Sequence, residues 1–148
     1  MSSCVSHLPP DVAYGEVIGH GMNAEELAAN PQLGRWFTHD LNRDPVLPLE
    51  SASIDAATIC VGVQYLQRPV PVFQEIARVL KPGAPLVVSF SNRCFPTKAV
   101  AVWLRLDDGG HAALVEAYLK TAGFNGIATH ILADGSRCDP LLAVTGRA

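Results

Sequence analysis

The stretch that most restricts the fold of this chain is Val46 to Ser91, VLPLESASIDAATICVGVQYLQRPVPVFQEIARVLKPGAPLVVSFS. It reads as strand, crossover helix and strand. Ser53 to Val61 is an apolar run carrying the β-branched residues Ile54, Thr58, Ile59 and Val61, about the length of a buried strand. Pro69 and Pro71 open a helix, because proline suits a first turn whose N–H groups lack partners. Phe73, Ile76, Ala77 and Leu80 recur at helical spacing and make one apolar face, with Gln74, Glu75 and Arg78 off it. Lys81-Pro82-Gly83 ends the helix: a cation, a residue that cannot continue, then a flexible one. Leu86, Val87, Val88 and Phe90 follow as a near-continuous apolar strand, the pattern of a parallel strand covered on both faces. Such a unit is nearly always a right-handed parallel crossover.

The segment resembles the second half of a class I S-adenosylmethionine-dependent methyltransferase, of the small-molecule kind called methyltransferase type 11. The resembling residues are Leu47-Pro48-Leu49, Ile54-Asp55, Tyr65-Leu66, Pro69, Glu75-Ile76, Arg78 to Gly83 and the strand to Ser91. Where the family has a second glycine after the proline, this chain has Ala84.

The rest of the chain fits the same order. Met1 to Asp11 reads as loop, with Pro9-Pro10. Tyr14 to His20 is a short strand, and Asn23 is a good N-cap for a helix Ala24 to Ala29, with Glu26 closing a capping box. Arg35 to His39 is another strand. After Ser91, Asn92 to Pro96 is a turn at a strand's carboxyl end, and Thr97 to Leu106 has helical spacing. Asp107 to Gly110 interrupts it, and His111 to Ala122 is a helix ended by Gly123. Phe124 to Leu132 and Leu141 to Gly146 are two closing strands. The expectation is an α/β fold: a Rossmann-like methyltransferase sheet, mostly parallel, with a C-terminal antiparallel hairpin. Ala122-Gly123-Phe124 resembles the family's segment before that hairpin. One domain is expected over 1–148, with 1–13 a loop remnant, 14–91 the cofactor side and 92–148 the substrate side.

The family's sheet has strand order 3-2-1-4-5-7-6. Val17–His20 matches its second strand, Arg35–His39 its third and Ser53–Val61 its fourth. Met1 to Val5 matches the loop just after its first, so the reading is of an N-terminally truncated domain. An unpaired buried backbone group costs roughly 1–3 kcal/mol. Three arrangements are open: the sheet closes over the gap, another chain fills it, or the chain is part of a longer gene product. The last is the expectation.

The resemblance implies S-adenosyl-L-methionine as methyl donor and a cofactor-binding set of Gly21, Met22, Asn23, Asp40, Leu41, Cys60 and Val61. Gly21 stands where the family has a ribose-binding acid, so its expected role is backbone geometry in a left-handed turn, with the Asn23 amide as a weaker substitute. Asp40 matches the acid that receives the adenine amino group, with the Leu41 N–H beside it; its bland reading is a solvated turn aspartate. Cys60 and Val61 match the strand end where backbone groups meet the methionine end. The methyl acceptor, a small molecule, has no signature here. Alternatives are a methyltransferase-like remnant acting as a binding or assembly module, and a dinucleotide-binding domain. The latter rests on Gly19-His20-Gly21-Met22-Asn23-Ala24, a G-x-G-x-x-A string with Asp40 beyond it.

Composition excludes several other classes. The net charge of -3 with no basic cluster argues against nucleic acid. No apolar run reaches membrane-spanning length. Cys4, Cys60, Cys94 and Cys138 include no CxxC pair and read as reduced thiols of a cytoplasmic protein. The five histidines show no metal spacing, and there is no G-x-S-x-G elbow. No catalytic residue is assigned. His111 reads first as an exposed first-turn residue and second as a general base, Cys94 as an ordinary buried thiol, and Trp103 and Tyr118 as packing aromatics.

Overall fold

A computed structural model describes residues 7–148; the Met1–Val5 loop lies outside them. The chain divides into two compact units, one through Asp44 and one from Pro45 to Ala148. The division falls inside the stretch read as the cofactor side.

The first unit is a small parallel pair with a short helix. Strand β1 (Ile18–Gly21) and strand β2 (Arg35–Thr38) pair in parallel, Gly21 opposite Thr38. Helix α1 (Ala24–Ala28) connects them. Asn23 caps it as expected: its side-chain oxygen accepts from the N–H groups of Glu25 at 2.9 Å and Glu26 at 3.4 Å. Leu27, 1% exposed, is the apolar anchor of this helix.

The second unit is a four-stranded sheet in the order β3-β4-β6-β5. Its strands are β3 (Ala57–Cys60), β4 (Pro85–Ser91), β5 (Asn125–Ala133) and β6 (Leu141–Arg147). β3 and β4 are parallel, joined by helix α2 (Pro69–Val79), and the hairpin β5–β6 is antiparallel, with β6 also antiparallel to β4. Helix α3 (Asp108–Thr121) precedes the hairpin. The core follows the pleat. Leu86, Val88 and Phe90 alternate on β4 with almost no exposure, and Val72, Phe73, Ile76 and Val79 give the buried stripe of α2. Across the two sheets the strands keep the family's orders 3-2 and 4-5-7-6. Among the described residues none forms the strand that would come first.

Four local expectations change. The strand expected from Tyr14 begins only at Ile18. The strand expected over Ser53–Val61 is regular only from Ala57, because the Ser53 and Ile54 N–H groups bond Val79 O and Ile54 bridges Leu80 instead. The region Thr97 to Leu106 is not an α-helix. Val100 N–H donates to Gln64 O at 3.0 Å, and only a 3-10 turn, Trp103–Arg105, forms. The Asp107–Gly110 stretch is no break: Asp107 accepts from Gly110 N–H at 2.8 Å, so α3 starts at Asp108.

Candidate functional site

Ligands of open parallel sheets bind beyond the carboxyl ends of the strands, and a shallow, open hollow of the first unit lies at that end of β1 and β2. His39 N–H donates to Gly21 O at 3.1 Å, continuing the ladder one step past β2. The chain then turns. The Asp40 carbonyl accepts from the N–H groups of Arg43 and Asp44, both at 3.0 Å, and its carboxylate Oδ1 accepts from Asn42 N–H, also at 3.0 Å. These bonds hold the half-buried Asp40 in one orientation at the rim. Met22, Thr38, His39 and Asp40 line a hollow of about 210 Å³. A second of about 400 Å³ shares Thr38, His39 and Asp40 and extends to Arg43 and Asp44.

Two histidines stiffen the wall. His20 Nε2–H donates to His39 O and His39 Nε2–H to Asp44 O, both at 2.8 Å. The carbonyl acceptors fix the tautomers, since a C=O only accepts. The His20 ring lies 5.4 Å from that of Phe37 and 6.1 Å from that of His39. Loss of water around His20 lowers its pKa below the usual histidine value, opposed by the bond to His39 O. Much of the residue's surface stays exposed, so only the direction follows.

The structure brings together some of the expected site residues. Met22 and Asp40 share one hollow. Leu41 follows Asp40 in the turn. Gly21 is buried as the last residue of β1 and is not among the left-handed glycines, so the turn expected of it is corrected: it is strand backbone. The Asn23 oxygen is engaged as the cap of α1 and its amide nitrogen donates to Glu26 Oε1 at 3.4 Å. Cys60 and Val61 belong to the second unit. Cys60 ends β3, and Val61 sits at φ 47° with its N–H on Ser89 O at 2.8 Å. A β-branched residue there is strained, a state that clusters at functional sites. Sequence reasoning missed Thr38, His39, Arg43 and Asp44; their place at the end of a parallel strand was the available signal.

The glycine string behind the dinucleotide reading has another explanation. A Cβ on Gly19 would lie 2.2 Å from a Leu33 methyl, so that glycine serves side-chain packing. Helix α1 has five residues, too short to direct its dipole at a pyrophosphate.

Comparison with known proteins agrees with this topology. Residues 11–88, more than half of the chain, match the family described as a methyltransferase domain. The chain belongs to that methyltransferase family. No curated protein matches the sequence. Among solved structures the fold is similar to a complex of the Haloferax volcanii methyltransferase activator Trm112 with a methyltransferase, at 18% identity and a TM-score of 0.67 over 90% of this chain and 72% of that one. An S-adenosylmethionine-dependent methyltransferase from Mesorhizobium loti shares 18% identity, with a TM-score of 0.62 over 90% and 80% of the two chains. The [4+2]-cyclase SpnF gives 16% identity and a TM-score of 0.62 over 89% and 65%. The family's cofactor is S-adenosylmethionine; the hollow at Asp40 is small. At about 210 Å³ it falls below the usual ~300–1,000 Å³ of complete small-molecule sites, and it offers a fixed carboxylate beside an apolar Met22.

The second unit of this methyltransferase-family chain holds a different surprise. His111 is 5% exposed, not a solvated first-turn residue. Its ring stacks on Trp103 at 4.0 Å and its Nε2–H donates to Trp103 O at 2.8 Å, so it packs the turn before α3 against the core. Trp103, 2% exposed, meets Phe90 edge-on at 5.4 Å. Tyr118 stacks on Phe73 at 6.1 Å, and burial raises its pKa. Both aromatics pack, as expected. Cys94 is half-buried. Among the described residues no cluster of three or more His, Cys, Asp or Glu is disposed to hold a metal ion. Nor, among the described residues, is any helix long and apolar enough to cross a membrane.

Proposed function

We propose that this chain serves methyl transfer from S-adenosylmethionine to a small-molecule acceptor, with the hollow beyond β2 receiving the adenosine end of the cofactor. The observation that carries the reading is Asp40, a carboxylate fixed by its own turn at the carboxyl end of a parallel strand and lining that hollow. There the Asp40 carboxylate would accept from the exocyclic amine, the Leu41 N–H would donate to a ring nitrogen, and Met22 would supply apolar cover. Bound cofactor supplies an electrophilic sulfonium methyl group. The protein's task is then to hold donor and acceptor aligned, and proximity carries much of such a rate gain, consistent with the lack of a conspicuous catalytic side chain. We also place the protein in the cytoplasm. In support, Cys60, Cys94 and Cys138 are unbridged. The second reading is a cofactor-binding or assembly module without methyl transfer. The fold similarity to a protein named as a cyclase favours keeping it, because one fold hosts several reactions.

Calorimetric titration with S-adenosylmethionine and S-adenosylhomocysteine tests the proposal. Both are expected to bind, and Asp40→Ala to weaken binding about tenfold or more, the worth of one charge-assisted hydrogen bond. Folded protein that takes up neither ligand would refute it. Binding that Asp40→Ala leaves unchanged would move the cofactor elsewhere.

A further inference from the structure

The carboxyl end of β3 runs through the strained Val61 and Gly62 into a 3-10 turn, Val63–Tyr65. Gln64, in the middle of that turn, is fully buried. Neither its Oε1 nor its Nε2 has a hydrogen-bond partner among the described residues. An unpaired buried polar group opposes folding, and this side chain leaves both an acceptor and a donor unpaired. The irregular segment after β4 covers the turn. Val100 N–H donates to Gln64 O and Phe95 N–H to Tyr65 Oη, both at 3.0 Å. Val100 O in turn accepts from Trp103 N–H at 3.0 Å. Trp103 Nε1 and the Nδ1 of His111, whose ring stacks on Trp103, also lack hydrogen-bond partners, with Asp108 Oδ1 3.9 Å from that Nδ1. Among the described residues, four of the five such side-chain atoms thus belong to Gln64, Trp103 and His111.

We infer that Gln64 recognises the methyl acceptor, an uncharged small molecule that binds beneath the 95–103 segment and pairs with the amide through a donor and an acceptor of its own. The inference rests on the methyl-transfer reading for the word acceptor; the site itself rests on the unpaired amide. Its place agrees, since ligands of open α/β sheets bind beyond the carboxyl ends of strands and backbone strain like that of Val61 gathers at such sites. Charge selects the class of ligand. The segment's cations, Lys98 and Arg105, are exposed, Lys98 lying over the Phe95 ring at 5.5 Å, and a charge buried without a partner is costly. Entry requires the cover to open. Residues 92–102 form no helix or strand, and segments of that kind open locally far more readily than a whole domain unfolds.

Urea unfolding and NMR of the full chain test the inference. Gln64→Met keeps the shape and removes the unpaired amide, so the urea midpoint should rise by about 0.3 M or more. An unchanged or lower midpoint would overturn the inference, because the amide would then already have a partner such as an internal water. Acetamide, the probe for a small neutral donor–acceptor pair, should shift the Gln64 side-chain signals and the Val100 amide signal saturably. Acetate, of the same size but charged, should not, and in Gln64→Met acetamide should leave the Val100 signal in place. A wild-type chain that ignores acetamide, or answers acetate equally, would also overturn it. Neither measurement uses S-adenosylmethionine, so a chain that fails to bind that cofactor would refute the methyl-transfer reading and leave this site as one for another small neutral ligand.

Discussion

Replacing Glu75 by Gln should loosen the loop that leads into β3. Glu75 and Arg78 lie one turn apart on α2 and act as a clamp. Glu75 Oε1 accepts from Leu47 N–H at 2.8 Å and from Arg78 Nη2 at 2.6 Å, and Oε2 accepts from Arg78 Nε at 2.8 Å. Arg78 in turn donates to Leu49 O and to Ser51 Oγ, both at 2.9 Å. One carboxylate thus orders a guanidinium that holds the 47–51 segment. Gln keeps the shape and one acceptor oxygen, loses the charge, and turns an N–H₂ group towards a donor. A hydrogen bond to a charged group is worth about 1.5–3 kcal/mol. The Arg78 side chain is 36% exposed and that of Glu75 11%, so screening trims the total to about 1–2 kcal/mol. With m near 1–3 kcal/mol/M in urea, the midpoint should fall by roughly 0.3–2 M.

The pH dependence gives the sharper test. The Arg78 hydrogen bond chiefly lowers the Glu75 pKa below 4.5, helped by Leu47 N–H and the Arg78 charge and opposed by burial. A folded-state pKa below the unfolded one adds stability that is present above 4.5 and disappears as pH falls through the folded value. Wild type and Glu75→Gln should therefore differ at pH 7 and converge in acid. Equal midpoints at pH 7, or a gap that stays constant from pH 7 to pH 3, would refute the reasoning.

Two further substitutions probe the backbone and the first unit. Ala52 is exposed at φ 51° with its N–H on Arg78 O; Ala52→Gly should stabilise by about 0.4–1 kcal/mol through relief of that conformation, read from urea midpoints. Gly19→Ala should destabilise by about 0.5–1.5 kcal/mol, because the half-buried Leu33 side chain must leave its place to admit the methyl, seen as an earlier thermal transition, whereas a glycine kept for phosphate approach would tolerate the change in the absence of ligand.

Short-range physics made much of this fold readable in the chain. α2 is found within its proline start and its Lys81-Pro82-Gly83 stop, and β4 runs through the apolar residues that announced it. The Asn23 cap is satisfied by neighbours two and three residues away. The misreadings came where a distant partner decided. The 97–106 spacing suited a helix until the Gln64 carbonyl claimed the Val100 N–H, thirty-six residues away in the chain by their numbering. His111 looked solvated because nothing local shows Trp103 folding back onto its ring.

The candidate site divides in the same way. The sequence determined the family pattern, the strand ends, and Asp40 as a carboxylate just past a strand, because periodicity and turn chemistry act over a few residues. Tertiary structure alone decided that Thr38, His39, Arg43 and Asp44 line the same hollow, that Gly19 packs against Leu33, and that β5 stands at an edge of its sheet. Those facts depend on which surfaces meet in space, and strand order and side-chain contact are set by burial summed over the whole unit rather than by neighbours along the chain.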